Sequence, residues 1–297
     1  MLARIQQLTT LGLLLFASLL AGIAVGLHRP VAAAAGALVI LGGYALVLAI
    51  EFAALAYVNR HDPAPKARAS DLIRAWWREV RSAPQVFCWR QPFFSRRWPD
   101  TELAAKGRRG VVFIHGFICN RGLWNRWLAR LAALDVPFAA VNLEPVFGSI
   151  DDYVDLVEAA VAHVEALTGQ APIVVAHSMG GLALRRWWRE PGHASRIQHA
   201  ITLGTPHAGT SLAALAFTTN GRQMRRHGSW LKELAAAEPA GLAERSTCFY
   251  SHADNIVFPA STAAWPGADN RHLIATPHVA MVDHPEPMAE LLRQIRS

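Results

Sequence analysis

The chain has 297 residues, room for one large domain or two small ones, and 52% of them are apolar. That exceeds the roughly 45–50% of an average soluble chain and points to apolar segments attached to a soluble domain. The net charge of +7 comes from arginines scattered in ones and twos, so no basic run builds a nucleic-acid patch, and an anionic lipid surface is the better match. Three widely spaced cysteines, Cys88, Cys119 and Cys248, exclude a disulfide framework and a zinc-ligand spacing, fit a reducing compartment, and leave one bridge plus a free thiol open.

In chain order, Leu8 to Leu27 carries no charge over 20 residues, the length needed to cross ~30 Å of hydrocarbon as a helix. His28, Arg29 and Pro30 interrupt. Val31 to Ile50 is uncharged again, and beyond Glu51 apolar residues resume to Val58. Lipid offers the backbone no hydrogen-bond partners, so residues 1–58 are expected to form a transmembrane helical hairpin. A cleaved signal peptide competes for the first segment. Its apolar region would usually be only ~7–15 residues, and here a second span follows at once. Arg4 precedes the first span, Arg60, Lys66, Arg68, Arg74 and Arg78 follow the second, and only Arg29 lies in the turn. The positive-inside rule then predicts a multi-pass inner-membrane protein with its soluble domain in the cytoplasm. Residues 59–109 read as a juxtamembrane connection with five prolines (63, 65, 84, 92 and 99) and the aromatics Trp76, Trp77, Phe87, Trp89, Phe93, Phe94 and Trp98. Whether these lie in a membrane interface or pack on the domain is left open.

From residue 110 the pattern changes. Val111–Ile114 reads as a buried strand, Leu123–Leu134 as an amphipathic helix, and Phe138–Val141 as a second strand. Ile150–Thr168 has helical spacing and ends at Gly169. Ile173–Ala176 is a strand, Gly180–Trp188 a helix, and Ile197–Leu203 and Cys248–Ser251 are further strands. Arg271–Ala275 and Pro285–Ile295 are the last strand and helix. This alternation predicts an α/β fold, a mostly parallel sheet with helices on both faces.

At one strand–helix junction stands Ala176-His177-Ser178-Met179-Gly180-Gly181. A serine there occupies a sharp turn, flanked by small residues because strand and helix backbones approach closely. The helix that follows aims its N–H groups at developing negative charge. This stretch resembles the nucleophile elbow of the α/β-hydrolase superfamily, and within it the bacterial triacylglycerol lipases and esterases of the A-x-S-x-G type. The resemblance runs from about Val111 to the C-terminus. It implies that Ser178 is the nucleophile and that His115-Gly116-Phe117 supplies an oxyanion-hole donor, the pair being the Phe117 and Met179 N–H groups. His115 is expected to be structural. Leu203-Gly204-Thr205-Pro206-His207-Ala208-Gly209-Thr210 is similar to a segment after a core strand in lipases. His207 is set aside as the base, because the family order is Ser, then acid, then His. By that order the acid is Asp254, in Ser251-His252-Ala253-Asp254-Asn255, and the base is His278. Asp269 is read as a turn residue and Asp283 comes too late. His272 falls in the last strand and His284 at the start of the last helix. Residues 110–297 form the catalytic domain; by position residues 211–244 resemble a lipase lid, with an ordinary covering helix as the other reading.

The implied activity is serine carboxylic-ester hydrolysis through an acyl-enzyme, acting on lipid-like esters, with the membrane lipid as a second partner, no nucleic acid, no cofactor and no metal. A thioesterase, amidase or acyltransferase with the same triad, and a non-catalytic membrane scaffold, are the alternatives. Oligomeric state has no signature in the sequence.

Overall fold

The computed structural model describes the chain except residue 240 and the side chains at positions 37 and 41. Two helices, α1 (Leu2–Gly26) and α2 (Pro30–Val58), pack on each other as a hairpin. Pro30 sits in the first turn of α2, where its missing N–H costs no helical hydrogen bond. Both helices are long and apolar enough to cross a membrane. Among the described residues, only those at the ends nearest the domain are buried: Leu2 and Gln6 of α1, and Leu48, Phe52 and Leu55 of α2.

The connecting residues are more ordered than their prolines suggest. They form α3 (Ala69–Pro84), a π-helical turn (Gln85–Arg90) and α4 (Gln91–Phe94). Pro84, the last residue of α3, lies within helical backbone that runs straight on as the π-helical turn, and Pro92 lies in the first turn of α4. Asp71 caps α3 by accepting the Arg68 N–H at 3.2 Å. Of the connector's aromatics, Phe87 and Trp98 pack on the domain core, while Trp77 and Trp89 are exposed.

The remaining chain is a six-stranded sheet. Its elements are β1 (Val111–Ile114), α5 (Asn125–Ala132), β2 (Phe138–Ala140), α6 (Val154–Thr168), β3 (Ile173–His177), α7 (Met179–Trp188), β4 (His199–Leu203), α8 (Thr219–Gln223), α9 (Ser229–Ala236), β5 (Ser246–Tyr250), β6 (Asp269–His272) and α10 (Pro285–Arg296). The order is β2-β1-β3-β4-β5-β6, and every pair is parallel. β1 pairs with β3 through Ile114 opposite Ala176. Parallel strands need crossovers that cover the faces, so β1 and the first four residues of β3 are apolar at every position. Val112, Ile114, Val174 and Ala176 meet α6 and α7 on one face. Val111, Phe113, Ile173 and Val175 meet Trp124, Trp127, Leu128 and Leu291 on the other. β2 would be a bare edge, but the chain at 100–101 covers it: the Asp100 carboxylate accepts the Ala140 N–H at 2.9 Å and the Thr101 hydroxyl accepts the Phe138 N–H at 3.1 Å.

Two expectations change here. Asp269, read as a turn residue, opens β6. The last strand therefore begins two residues earlier than Arg271, because pairing of Cys248 with Asn270 sets its register at an exposed edge that hydrophobic patterning does not mark.

Phe113 is fully buried and packs against Trp124, tilted at 5.0 Å, and Trp127, edge-on at 5.9 Å. Phe113→Ala is expected to lower unfolding stability by about 3–5 kcal/mol, read as a shift in the denaturant midpoint.

Candidate active site

The chain runs from β1 out to β2 at one edge, then returns to β3 on the other side of β1. The strand order thus reverses between β1 and β3, the position at whose carboxyl ends open parallel sheets bind their ligands. The loop after β1 carries His115, Gly116 and Phe117; the turn after β3 carries Ser178.

Ser178 has φ 55° and ψ −130°, a conformation that costs a non-glycine residue about 1–3 kcal/mol. The surroundings enforce it. The Ser178 N–H donates to the Leu203 carbonyl at 2.8 Å, tying the turn to β4. At Gly180 a Cβ would lie 2.5 Å from the Ile114 carbonyl oxygen, and at Gly116 one would lie 2.7 Å from Ser178 Cβ. Glycine at these two positions lets the β1 loop and the first turn of α7 close around the serine.

His115 holds that loop. Leu143 N–H donates to His115 Nε2 at 3.0 Å. The ring proton is therefore on Nδ1, which donates to the Gly116 carbonyl at 2.9 Å. Burial pushes its pKa down to about 4, so the ring is neutral in ordinary conditions. The Phe117 ring meets Phe147 edge-on at 5.9 Å.

The loop after β5 and the loop after β6 bring Asp254 and His278 together. His278 Nδ1–H donates to Asp254 Oδ2 at 2.9 Å, and both side chains are buried. The other carboxylate oxygen, Oδ1, accepts the Ile256 and Val257 N–H groups at 3.0 and 2.8 Å. Burial pushes His278 down. The Asp254 carboxylate, through charge and hydrogen bond, and the Glu79 and Glu51 carboxylates outweigh it and raise the imidazole above its ordinary value. His177, next to the serine, donates from Nε2 to the His278 carbonyl at 3.2 Å, and the two rings lie 4.6 Å apart. Burial and the neighbouring His278 keep His177 well below its ordinary pKa, hence neutral.

The other candidates lie elsewhere. His207 stacks on Trp265 at 4.7 Å, beside the Thr202 hydroxyl and the Cys248 thiol. His272 packs against His252, His284 caps α10, and Asp283 pairs with Arg90 and Arg126. The three cysteines are free.

Sequence reasoning missed four residues around this centre: His177, Asn255, Glu51 and Glu79. His177 and Asn255 each stand next to a named site residue. Neither carboxylate has a local signal, since both reach the site from the N-terminal helices.

A parallel sheet, a strained serine turn after the central strand and an Asp–His pair at its carboxyl edge define the α/β-hydrolase architecture. Residues 111–294 match the alpha/beta hydrolase family, and the chain belongs to it. No curated protein sequence matches. Among solved structures, the mature form of a Bacillus licheniformis lipase is similar at 16% identity and TM-score 0.56, over 67% of this chain and 96% of that one. Lipase B of Aspergillus fumigatus is similar at 19% identity and TM-score 0.52, over 62% of this chain and 51% of that one. These likenesses are of fold.

Proposed function

We propose that the protein is a membrane-anchored serine hydrolase that cleaves carboxylic esters of lipid-like molecules. The observation that carries this reading is the buried Asp254–His278 pair beside the strained Ser178 turn.

In the proposed mechanism, His278 takes the proton of Ser178 as the hydroxyl attacks the ester carbonyl. Asp254 holds Nδ1–H, leaving Nε2 free for that proton, and stabilises the imidazolium. The Phe117 and Met179 N–H groups hold the oxyanion, each at a typical worth of ~2.7–4 kcal/mol. The alcohol leaves with the proton from His278, and water then hydrolyses the acyl-enzyme by the same steps in reverse.

Lipid-like substrates are supported by the surroundings of the site. Ile118, Phe147, Leu215 and Phe217 expose large apolar side chains. The segment carrying the last two runs from the acid loop, where Ser211 N–H donates to the Phe258 carbonyl, to the loop after β2, where Asn220 donates to the Val146 carbonyl. The hairpin stands on the same face. Gln6 of α1 reaches the Ile118 carbonyl, and Phe52 and Leu55 of α2 pack against Ala253 and Phe258. If the hairpin crosses the inner membrane, with the domain on the cytoplasmic side as its flanking charges favour, the site loops stand beside the bilayer and take their ester from the adjacent leaflet.

The test is hydrolysis of p-nitrophenyl butyrate and palmitate by the full chain in detergent. Preference for palmitate supports a lipid substrate, and preference for butyrate points to an esterase of short acyl chains. Failure on both, with Ser178 still labelled by a fluorophosphonate, moves the assignment to thioester, amide or acyl-transfer chemistry. Failure of both hydrolysis and labelling sinks the hydrolase reading.

A further inference from the structure

The acid and base loops are held from outside the hydrolase sheet. Asn255 donates from Nδ2 to Glu51 of α2 at 2.7 Å, while its Oδ1 accepts the His278 N–H at 3.3 Å. Glu79 of α3 accepts the Val279 N–H at 2.8 Å and the Ala280 N–H at 3.2 Å. Three consecutive backbone N–H groups, at 278, 279 and 280, are thus fixed by the two carboxylates, one directly and one through Asn255.

Neither carboxylate pairs with an arginine or lysine among the described residues. Glu79 is 1% exposed, and burying a carboxylate without a cation is costly. An apolar residue would dock α3 on the domain more cheaply. What the carboxylates supply is acceptors for the base loop and, for Glu79 above the value of about 7 to which burial raises it, negative charge near an imidazole that becomes cationic during turnover. His278 is faced by Asp254, Glu79 and Glu51, and by neutral His177 of β3. Glu79 is faced by His278, Asp254 and, from α2, Tyr44.

The geometry points to Glu51 and Glu79 as positioning residues of the catalytic centre, so that the N-terminal helices complete the active site as well as tethering it. Both act on His278: they fix its backbone and favour its protonated form. This rests on the reading of Ser178, Asp254 and His278 as the triad.

The experiment uses the full chain in detergent and a fluorophosphonate probe, which reports Ser178 reactivity without knowledge of the natural ester. Glu79→Gln and Glu51→Gln are compared with wild type and Ser178→Ala for maximal labelling rate, probe affinity, pH dependence and melting temperature. The expected result is a fall in maximal labelling rate of about 10- to 100-fold for Glu79→Gln, the scale on which a misplaced catalytic group costs rate. Probe affinity stays unchanged. The midpoint of the acid limb moves to lower pH, because His278 loses a neighbouring negative charge. Glu51→Gln, whose amide oxygen can still accept from Asn255, shows the pH shift with a smaller loss, and it carries the test alone if Glu79→Gln does not fold. Wild-type rates and an unmoved midpoint, with Ser178→Ala unlabelled, overturn the proposal and leave the triad reading intact. A rate loss that follows the melting temperature with an unmoved midpoint also overturns it, since that is a structural role. Ser178→Ala labelled as fast as wild type overturns the triad reading and this proposal with it.

Discussion

Ser178→Ala is expected to lower the rate of ester hydrolysis by about 10⁶-fold, the scale seen when the nucleophile of a serine triad is removed. The loss is this large because the acyl-enzyme route disappears as a whole. Asp254 and His278 have no other nucleophile to activate. In the proposed mechanism what remains is the Phe117 and Met179 N–H pair, which supports at most a slow attack by water. The fold should survive, because the constraint on the turn comes from Leu203 and the glycines at 116 and 180, not from the hydroxyl. Alanine keeps φ at 55° with no new clash. The measurement is kcat for p-nitrophenyl ester hydrolysis beside the melting temperature. A variant that folds and still turns over at more than a few per cent of wild type would remove Ser178 from the mechanism.

Asp254→Asn carries the second large effect, a fall on the order of 10⁴-fold in kcat. The hydrogen bonds explain it. Oδ1 of Asp254 accepts two backbone N–H groups, from Ile256 and Val257, and Oδ2 accepts from His278 Nδ1. An asparagine keeps its oxygen toward the two N–H groups and turns its NH₂ toward His278. Nδ1 must then accept, the ring proton moves to Nε2, and the nitrogen that should take the serine proton is blocked. The pH profile changes too. In the wild type His278 is raised above its ordinary value, so activity is low at acid pH and rises as pH climbs through that raised pKa. Protonated His278 also contributes stability below its unfolded pKa, lost as pH rises through the folded one. Without the Asp254 charge, burial pulls the imidazole down, and the acid limb of kcat/KM against pH moves to lower pH. An unmoved limb with full activity would show that another acid serves His278.

The two variants also separate the roles of the two loops. Ser178→Ala should leave the His278 titration in place, whereas Asp254→Asn should move it. A proton-detected titration of the His278 ring reads the difference without any substrate.

Much of this protein was legible from local pattern. The β-branched runs at 111–114 and 173–176, each ended by small or polar residues, marked buried parallel strands. The serine turn announced itself because strand, small flanking residues and helix coincide at Ser178. The uncharged stretches before residue 59 marked two long apolar helices, which stand as α1 and α2. The family's chain order named Asp254 and His278, and the structure brings that pair to 2.9 Å. Other features were hidden. Five prolines masked α3 and α4, because Pro84 and Pro92 stand in one helical run joined by the π-helical turn, where local pattern reads proline as a break. The β6 boundary was lost at an exposed edge, where burial imposes no alternation.

The sequence by itself determined the fold class, the strained serine and the apolar hairpin, since each follows from residues within about one strand or helix of one another. Only the tertiary structure decided how the base loop is held. Glu79 lies 200 positions from Val279, and Glu51 lies 204 from Asn255. A contact at that separation leaves no period, spacing or cap in the local chain; it exists only once the sheet has brought the carboxyl ends of β5 and β6 beneath the N-terminal helices.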